Sequence, residues 1–326
     1  MNLWSCRWKA AMPPTYTKRA LAMGGVKIKL LIERLQLEET PIVLEGGYLL
    51  REAYRTEINA LRECVSKINF PLAFNTSYFK VVEKQTCYAG YAWNKLQNEA
   101  NKAKKIITAL RLFKSGPVTA RMVLFEADPS PSLLQMFDLY NVAFSEGEEC
   151  LKLGRTEIEK FQSFWAWIRR FLYQDMKSMG AIGIALRRFE LSYSRRSLTD
   201  KLLDLVIALE ALFGEYPELR FRIAQRAALL LFADADEETK IKCRNTIQTL
   251  YDKRSGIVHG SFPEVTVEDI KKLKDYVRRG ITLVVELWRK STYGNIKEFH
   301  RALLKQLDEI VFSAQPSLEN FLNRIH

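Results

Sequence analysis

The feature that most constrains the fold is a series of amphipathic segments that fills the second half of the chain. Apolar residues recur there at the three- and four-residue spacing that places them on one face of an α-helix. Helices are predicted near residues 154–177, 181–192, 197–214, 217–233, 236–252, 266–291 and 295–313. Because such segments bury their apolar faces by packing against each other, the sequence predicts an all-α bundle over residues 151–326.

The segment 197–214 shows this pattern most clearly. Its apolar stripe consists of Leu202, Leu205, Val206, Leu209, Leu212 and Phe213. Thr199 or Asp200 is expected to cap the start, since short polar side chains accept hydrogen bonds from the free N–H groups of a first turn. Gly214 is expected to end the helix.

The first half of the chain mixes strand and helix signals, which predicts an α+β module over residues 25–150. Two short strands are expected on either side of Gly46-Gly47. A further strand is expected from Val118 to Phe125, where apolar and polar residues alternate. Helices are predicted over about 52–69 and 90–113, where apolar residues recur at helical spacing.

The charge balance favours an anionic partner. The chain has 50 Lys and Arg against 38 Asp and Glu, a net charge of +12. Such a surplus favours nucleic acid first and an acidic membrane surface second. Residues 1–24 contain basic but no acidic side chains. We expect them to form a flexible basic arm, with an upstream start-site extension or a nucleic-acid-binding arm as alternatives.

Cysteine usage and hydropathy predict a cytoplasmic protein. The five cysteines are scattered and form no C-x-x-C pair, which argues against a disulfide framework and against a zinc site. Apolar runs such as Ile281–Trp288 are interrupted by polar residues and are too short to span a membrane. We therefore expect no membrane partner, no bound metal and no cofactor.

A candidate chemical site lies at the end of the segment 236–252. His259, one of only three histidines, follows Arg254 by five positions. A histidine exchanges protons near neutral pH and an arginine holds a developing phosphate charge, so the pair suffices for RNA cleavage without a metal. Five positions are about 140° of helix rotation, so the side chains converge only if the helix ends or kinks between them. Gly256 provides the backbone freedom for such a break.

Four blocks of sequence surround this pair in a fixed order. They are residues 189–196, 200–213, 221–230 and the segment 254–260. Taken together, over about residues 181–290, they resemble the Apea-like branch of the HEPN domains, a helical family. The resemblance implies that residues 151–326 form a HEPN-like helical bundle.

The resemblance also implies an activity, that of a metal-independent endoribonuclease working as a homodimer. His259 would act as general acid–base on the RNA 2′-hydroxyl, and Arg254 would stabilise the phosphorane-like transition state. The products would be a 2′,3′-cyclic phosphate and a 5′-hydroxyl, and DNA would survive. The implied setting is microbial anti-phage defence or a toxin-like system, with an antitoxin or regulatory protein as a further partner.

Ser255 departs from the family's pattern, because active members often carry Asn, Asp or His directly after the arginine. Serine can still bond a phosphate oxygen. The alternative is a non-catalytic HEPN-like scaffold that binds RNA or dimerises, and Ser255 keeps that alternative open.

Four further residues are assigned supporting roles. Glu210 is expected either to orient Arg254 or His259, or to pair with Arg222 or Arg226, and the sequence favours the second arrangement. Arg222, Arg226 and Lys253 are candidate RNA-binding residues. For the two arginines, which are four apart and share a helix face, buried structural ion pairs are an equal alternative.

Overall fold

The computed structural model describes residues 25–59, 80–87, 93–127, 133–137 and 149–312. The predicted arm at 1–24, and most of the predicted helix at 52–69, lie outside these residues. The chain divides into two compact units. One comprises Met1–Glu33, Glu39–Lys104 and Ala120–Asp138, and the other comprises Arg34–Glu38, Lys105–Thr119 and Leu139–His326. The second unit therefore takes in short stretches that precede residue 151.

The first unit contains a six-stranded sheet. Its strands are β1 (Gly25–Glu33), β3 (Ile42–Leu44), β4 (Tyr48–Glu52), β5 (Lys80–Cys87), β6 (Thr119–Ala127) and β7 (Leu133–Phe137). They lie in the order β3-β4-β5-β1-β6-β7. β4 pairs antiparallel with β3 and β5, β1 pairs antiparallel with β5, and β6 pairs antiparallel with β7. Gly46 and Gly47 both have positive φ in the turn between β3 and β4, which confirms the predicted hairpin.

Alternation of apolar and basic residues explains why β1 forms. Val26, Ile28 and Leu30 are buried, while the lysines between them are half-buried. Such a period of two is what a strand with one buried face requires. Further along β1, Leu31 and Ile32 are also buried, so that part of the strand is covered on both faces.

The second unit is mainly helical. The helices that begin in the described part of the chain after residue 92 are α1 (Trp93–Phe113), α2 (Arg155–Leu172), α3 (Met176–Met179), α4 (Ala181–Ser194), α5 (Leu198–Phe213), α6 (Leu219–Leu231), α7 (Glu237–Val258), α8 (Val267–Lys290) and α9 (Ile296–Phe312). Of these, α1 is divided between the units, because its residues up to Lys104 belong to the first. The helices predicted at 90–113 and from 181 to 313 are confirmed, most within a few residues at each end, and α7 extends six residues further than expected. The single helix predicted at 154–177 was wrong, because α2 ends at Leu172 and α3 begins at Met176. A parallel pair of short strands, β2 (Leu35–Leu37) and β8 (Leu151–Leu153), completes this unit.

The apolar stripe of α5 forms the centre of the helical core. All six of its predicted members are buried, and α5 packs against α4, α6, α7 and α8. The predicted cap was wrong, because Ser197 rather than Thr199 or Asp200 accepts hydrogen bonds from the first turn. Gly214 is the C-terminal cap of the helix, as predicted. Glycine fits this position because a side chain there would collide with the carbonyl oxygen of Glu210.

Within residues 25–59, 80–87, 93–127, 133–137 and 149–312, no helix is both long and apolar enough to cross a bilayer.

Candidate functional site

α7 carries both candidate catalytic residues and does not break between them. It continues through Gly256 to Val258, and His259 is its C-terminal cap residue. Because an uninterrupted helix turns about 140° over five positions, Arg254 and His259 project from different sides of it. The helix break that would bring the two side chains of one chain together at Gly256 is absent.

Gly256 and Gly260 instead shape the turn that ends α7. Gly260 has φ +85°, and its N–H donates to the carbonyl of Ile257 at 3.2 Å, while the N–H of Ser261 donates to that of Gly256 at 2.9 Å. These two bonds form a Schellman motif. A Cβ on Gly256 would lie 2.5 Å from the Ser261 hydroxyl oxygen, so a larger residue there would displace that hydroxyl. The fold-back leaves His259 exposed.

Arg254 is poorly bonded for a half-buried guanidinium. Its closest charged partner is Glu210, with 3.5 Å between Nη2 and Oε1. Its Nε is buried and has no hydrogen-bond acceptor in the described part of the chain. The guanidinium has five N–H donors but, among the described residues, only this one long contact to a carboxylate. It therefore retains donors that can bind an anionic group.

Glu210 belongs to the Arg254 cluster, so the favoured ion pair to Arg222 or Arg226 was wrong. Burial raises the pKa of the Glu210 carboxyl, and the Arg254 charge offsets part of that effect. Burial likewise raises the pKa of the Tyr251 phenol, with a further contribution from the charge of Glu210. The Tyr251 ring centroid lies 6.0 Å from the Arg254 guanidinium. α5 and α7 thus bring together a carboxyl, a phenol and an arginine.

The ring of His259 is exposed at the end of α7. Its backbone N–H donates to the carbonyl of Ser255 at 3.0 Å, and its exposed ring has no hydrogen-bond or ion-pair partner among the described residues. The Ser255 hydroxyl also has no partner there. By contrast His300 is buried, its Nε2 lies 2.7 Å from the carbonyl oxygen of Leu212, and burial lowers its pKa. His326 lies outside the described residues.

Arg226 forms the buried structural pairs that the sequence offered as one alternative. Its side chain is 1% exposed and bonds Asp308 at 2.6 and 2.8 Å, Glu215 at 2.8 Å and the Phe213 carbonyl at 2.8 Å. Arg222 is 30% exposed and donates to the same Asp308 at 3.0 Å. These bonds tie α6 to α9 and to the end of α5.

Lys253 also has a carboxylate partner within the protein. Its Nζ donates to Asp269 at 2.7 Å. Asp269 in turn accepts from the backbone N–H of Thr266 at 2.9 Å and, with Thr266, forms the capping box of α8. Lys253 therefore joins the last turns of α7 to the start of α8.

A pocket beside Arg254 was missed from the sequence. It is open to solvent, has a volume of about 650 Å³, and is lined by Tyr216, Glu218, Leu219, Arg220, Phe221 and Tyr251. The sequence contained one indication of this pocket. Tyr251 lies three positions before Arg254, so the two side chains share a helix face. The contribution of Tyr216 and Phe221 depends on how α6 begins, which the local pattern does not reveal.

The described residues hold no metal-binding cluster, and no similar protein assigns this site a role. Among the residues that the structure describes, no three His, Cys, Asp or Glu side chains lie close enough to hold a metal ion. Asp236, in the acidic stretch 234–238, instead caps α7 by accepting from the N–H of Thr239 at 2.7 Å. Comparisons with protein-family models, curated proteins and solved structures found no match.

Proposed function

We propose that this chain is a metal-independent endoribonuclease of HEPN type, with Arg254 and His259 as its catalytic residues. One observation carries the proposal: an exposed histidine without a side-chain partner among the described residues caps the same helix end that holds an under-bonded arginine. The order of sequence blocks around this helix, which resembles the Apea-like HEPN domains, supports the same assignment.

The proposed chemistry uses proton transfer and charge stabilisation. A neutral His259 removes the proton from the RNA 2′-hydroxyl, whose oxygen forms a bond to the adjacent phosphorus as the bond to O5′ breaks. A protonated His259 supplies the proton that O5′ gains. Arg254 binds the non-bridging oxygens and stabilises their charge in the transition state. The products are a 2′,3′-cyclic phosphate and a 5′-hydroxyl.

The proposed enzyme acts as a homodimer. Since Arg254 and His259 of one chain project from different sides of a continuous helix, each chain contributes half of a site. Apolar side chains around the helix end support a partner surface, because Val258 is 57%, Phe262 97% and Val267 50% exposed. The proposed setting is cytoplasmic, in anti-phage defence or a toxin-like system, with an antitoxin or regulatory protein as regulator.

The central test is cleavage of single-stranded RNA by the purified full chain in EDTA. We expect cleavage to persist, with 2′,3′-cyclic phosphate ends identified by mass spectrometry. RNA with 2′-O-methyl riboses, and DNA of the same sequence, should remain intact because neither offers the attacking hydroxyl. Cleavage only after a divalent metal is added, or products with 3′-hydroxyl ends, would contradict the mechanism.

A second prediction concerns the partner surface. Phe262→Glu is expected to convert the dimer to a monomer, since it places a charge in an apolar contact, and to lower the rate of RNA cleavage with it. Ile184→Glu is the matched control, because Ile184 is 49% exposed on α4. Light scattering reports the mass of each variant. A Phe262→Glu chain that stays dimeric rules this surface out.

A non-catalytic HEPN-like scaffold is the second candidate function. Two observations favour it: Ser255 follows the arginine, and Glu210 neutralises part of the Arg254 charge. It predicts RNA binding that weakens with added salt, no cleavage, and little effect of His259→Ala on affinity. A cyclic-phosphate product excludes it.

A further inference from the structure

The pocket beside Arg254 has an unusual lining for a solvent-exposed surface. Three of its six residues are aromatic, and two of them face water, with Tyr216 86% and Phe221 49% exposed. Aromatic rings are normally among the more buried side chains, so their exposure around a concavity indicates a ligand. The volume of about 650 Å³ lies within the range of small-molecule pockets.

One charged group at the pocket, the guanidinium of Arg220, is positioned by an ion pair. Arg220 donates to both carboxylate oxygens of Asp252, at 2.6 and 2.7 Å, which links the start of α6 to α7 one residue after Tyr251. A two-bond arginine–carboxylate pair fixes the plane of the guanidinium. The rim therefore offers a flat cation and flat rings together, and both surfaces stack on aromatic ligands.

The side chain of Tyr251 connects the pocket with Arg254. Tyr251 lines the pocket and also lies 6.0 Å from the Arg254 guanidinium. A ligand that fills the pocket and reaches Arg254 needs a flat aromatic part joined to an anionic part. A nucleotide unit within RNA has this composition, with a base that stacks and a phosphate that binds arginine.

We propose that this pocket holds one unstacked base of a single-stranded RNA, next to the phosphate that Arg254 binds. The proposal rests on the proposed function and deepens it: the substrate is single-stranded RNA, and a paired or stacked base is excluded from the pocket. Stacking on Tyr216 and Phe221 tolerates any base, because every base has a π-face. Glu218, at the rim, accepts hydrogen bonds from the amino group of adenine, cytosine or guanine.

The test uses an RNA oligonucleotide that contains 2-aminopurine and has 2′-O-methyl riboses throughout. It binds but offers no attacking hydroxyl, so binding is measured apart from cleavage. Stacking in the pocket is expected to quench the 2-aminopurine fluorescence on titration with the full chain. Tyr216→Ala and Phe221→Ala should each abolish most of the quench and weaken binding by about 5- to 150-fold, the range for loss of one base–aromatic stack. Ile184→Ala, which alters an equally exposed apolar residue on α4, should bind and quench like the wild type.

The outcomes separate this proposal from the nuclease assignment. Quenching that depends on Tyr216 and Phe221 supports the pocket even if no RNA is cleaved. Unchanged quenching and affinity in both variants overturns the pocket even if the wild type cleaves RNA. A change of oligomeric state in Phe221→Ala, with quenching intact, identifies a second copy of the chain as the occupant and also overturns it. Tyr216, at 86% exposure, keeps the test valid if Phe221→Ala folds poorly.

Discussion

Replacing His259 by alanine is expected to slow RNA cleavage by about 10²- to 10⁴-fold, the usual contribution of a general acid–base. The fold should be unaffected, because the ring is exposed and makes no hydrogen bond or ion pair within the described residues. Arg254→Ala is expected to slow cleavage by about 10²- to 10³-fold, since the transition state then loses a charged donor. The measurement is single-turnover cleavage of a labelled RNA, with the free energy of unfolding determined for each variant.

Two further variants sharpen this result. Arg254→Lys keeps the charge but loses the planar two-bond contact with phosphate, so it should recover only part of the rate. Glu210→Gln removes the carboxylate charge beside Arg254 and should leave cleavage intact or raise it, since the guanidinium is then released for phosphate. Equal cleavage by wild type, His259→Ala and Arg254→Ala removes both residues from the catalytic assignment.

Arg226→Ala is expected to lower the free energy of unfolding by about 1.5–3 kcal/mol, the range for hydrogen bonds to charged groups, because the carboxylates left behind remain partly exposed. The change leaves Asp308, Glu215 and the Phe213 carbonyl without their shared donor, in a side chain position that is 1% exposed. Chemical denaturation of the full chain measures the loss.

Arg222→Ala provides the matched control. Arg222 contacts the same Asp308 from the same helix, but its side chain is 30% exposed, so its removal should cost about 1 kcal/mol or less. If Arg226→Ala instead unfolds like the wild type and binds RNA more weakly, then Arg226 acts on RNA and its internal bonds contribute little.

The helices were predictable because their apolar spacing is a property of adjacent turns. The end of α7 was not. Residues 253–258 include a serine, a glycine and two β-branched residues, all weak helix formers. The ion pairs from Asp252 to Arg220 and from Lys253 to Asp269 hold these turns, and both partners lie on other elements. Tertiary contacts thus extended the helix against its local preference.

The strand β5 was missed for a related reason. Val81 and Val82 are consecutive and both fully buried, so the segment lacks the alternation that marks a strand with one buried face. Charged residues on either side of the pair further obscure the pattern.

The residues of the candidate site could be predicted from the sequence, but their partners could not. Arg254 and His259 were recognisable because their order and spacing are local. The partners of the cations were not, since Arg226 and Asp308 are 82 positions apart and the chain has many carboxylates. Only the fold decides that Arg226 and Lys253 bond within the protein while the Nε of Arg254 has no acceptor in the part of the chain that the structure describes.

The distribution of buried residues along α7 has a consequence for the energetics of the site. Its buried residues are Cys243, Ile247 and Leu250, and none of the eight positions from Tyr251 to Val258 is buried. A segment with so little apolar contact can open locally without unfolding the domain. Arg254 therefore lies on a part of the bundle that is held by ion pairs and hydrogen bonds more than by buried apolar contact, so added salt should loosen it before it affects the core.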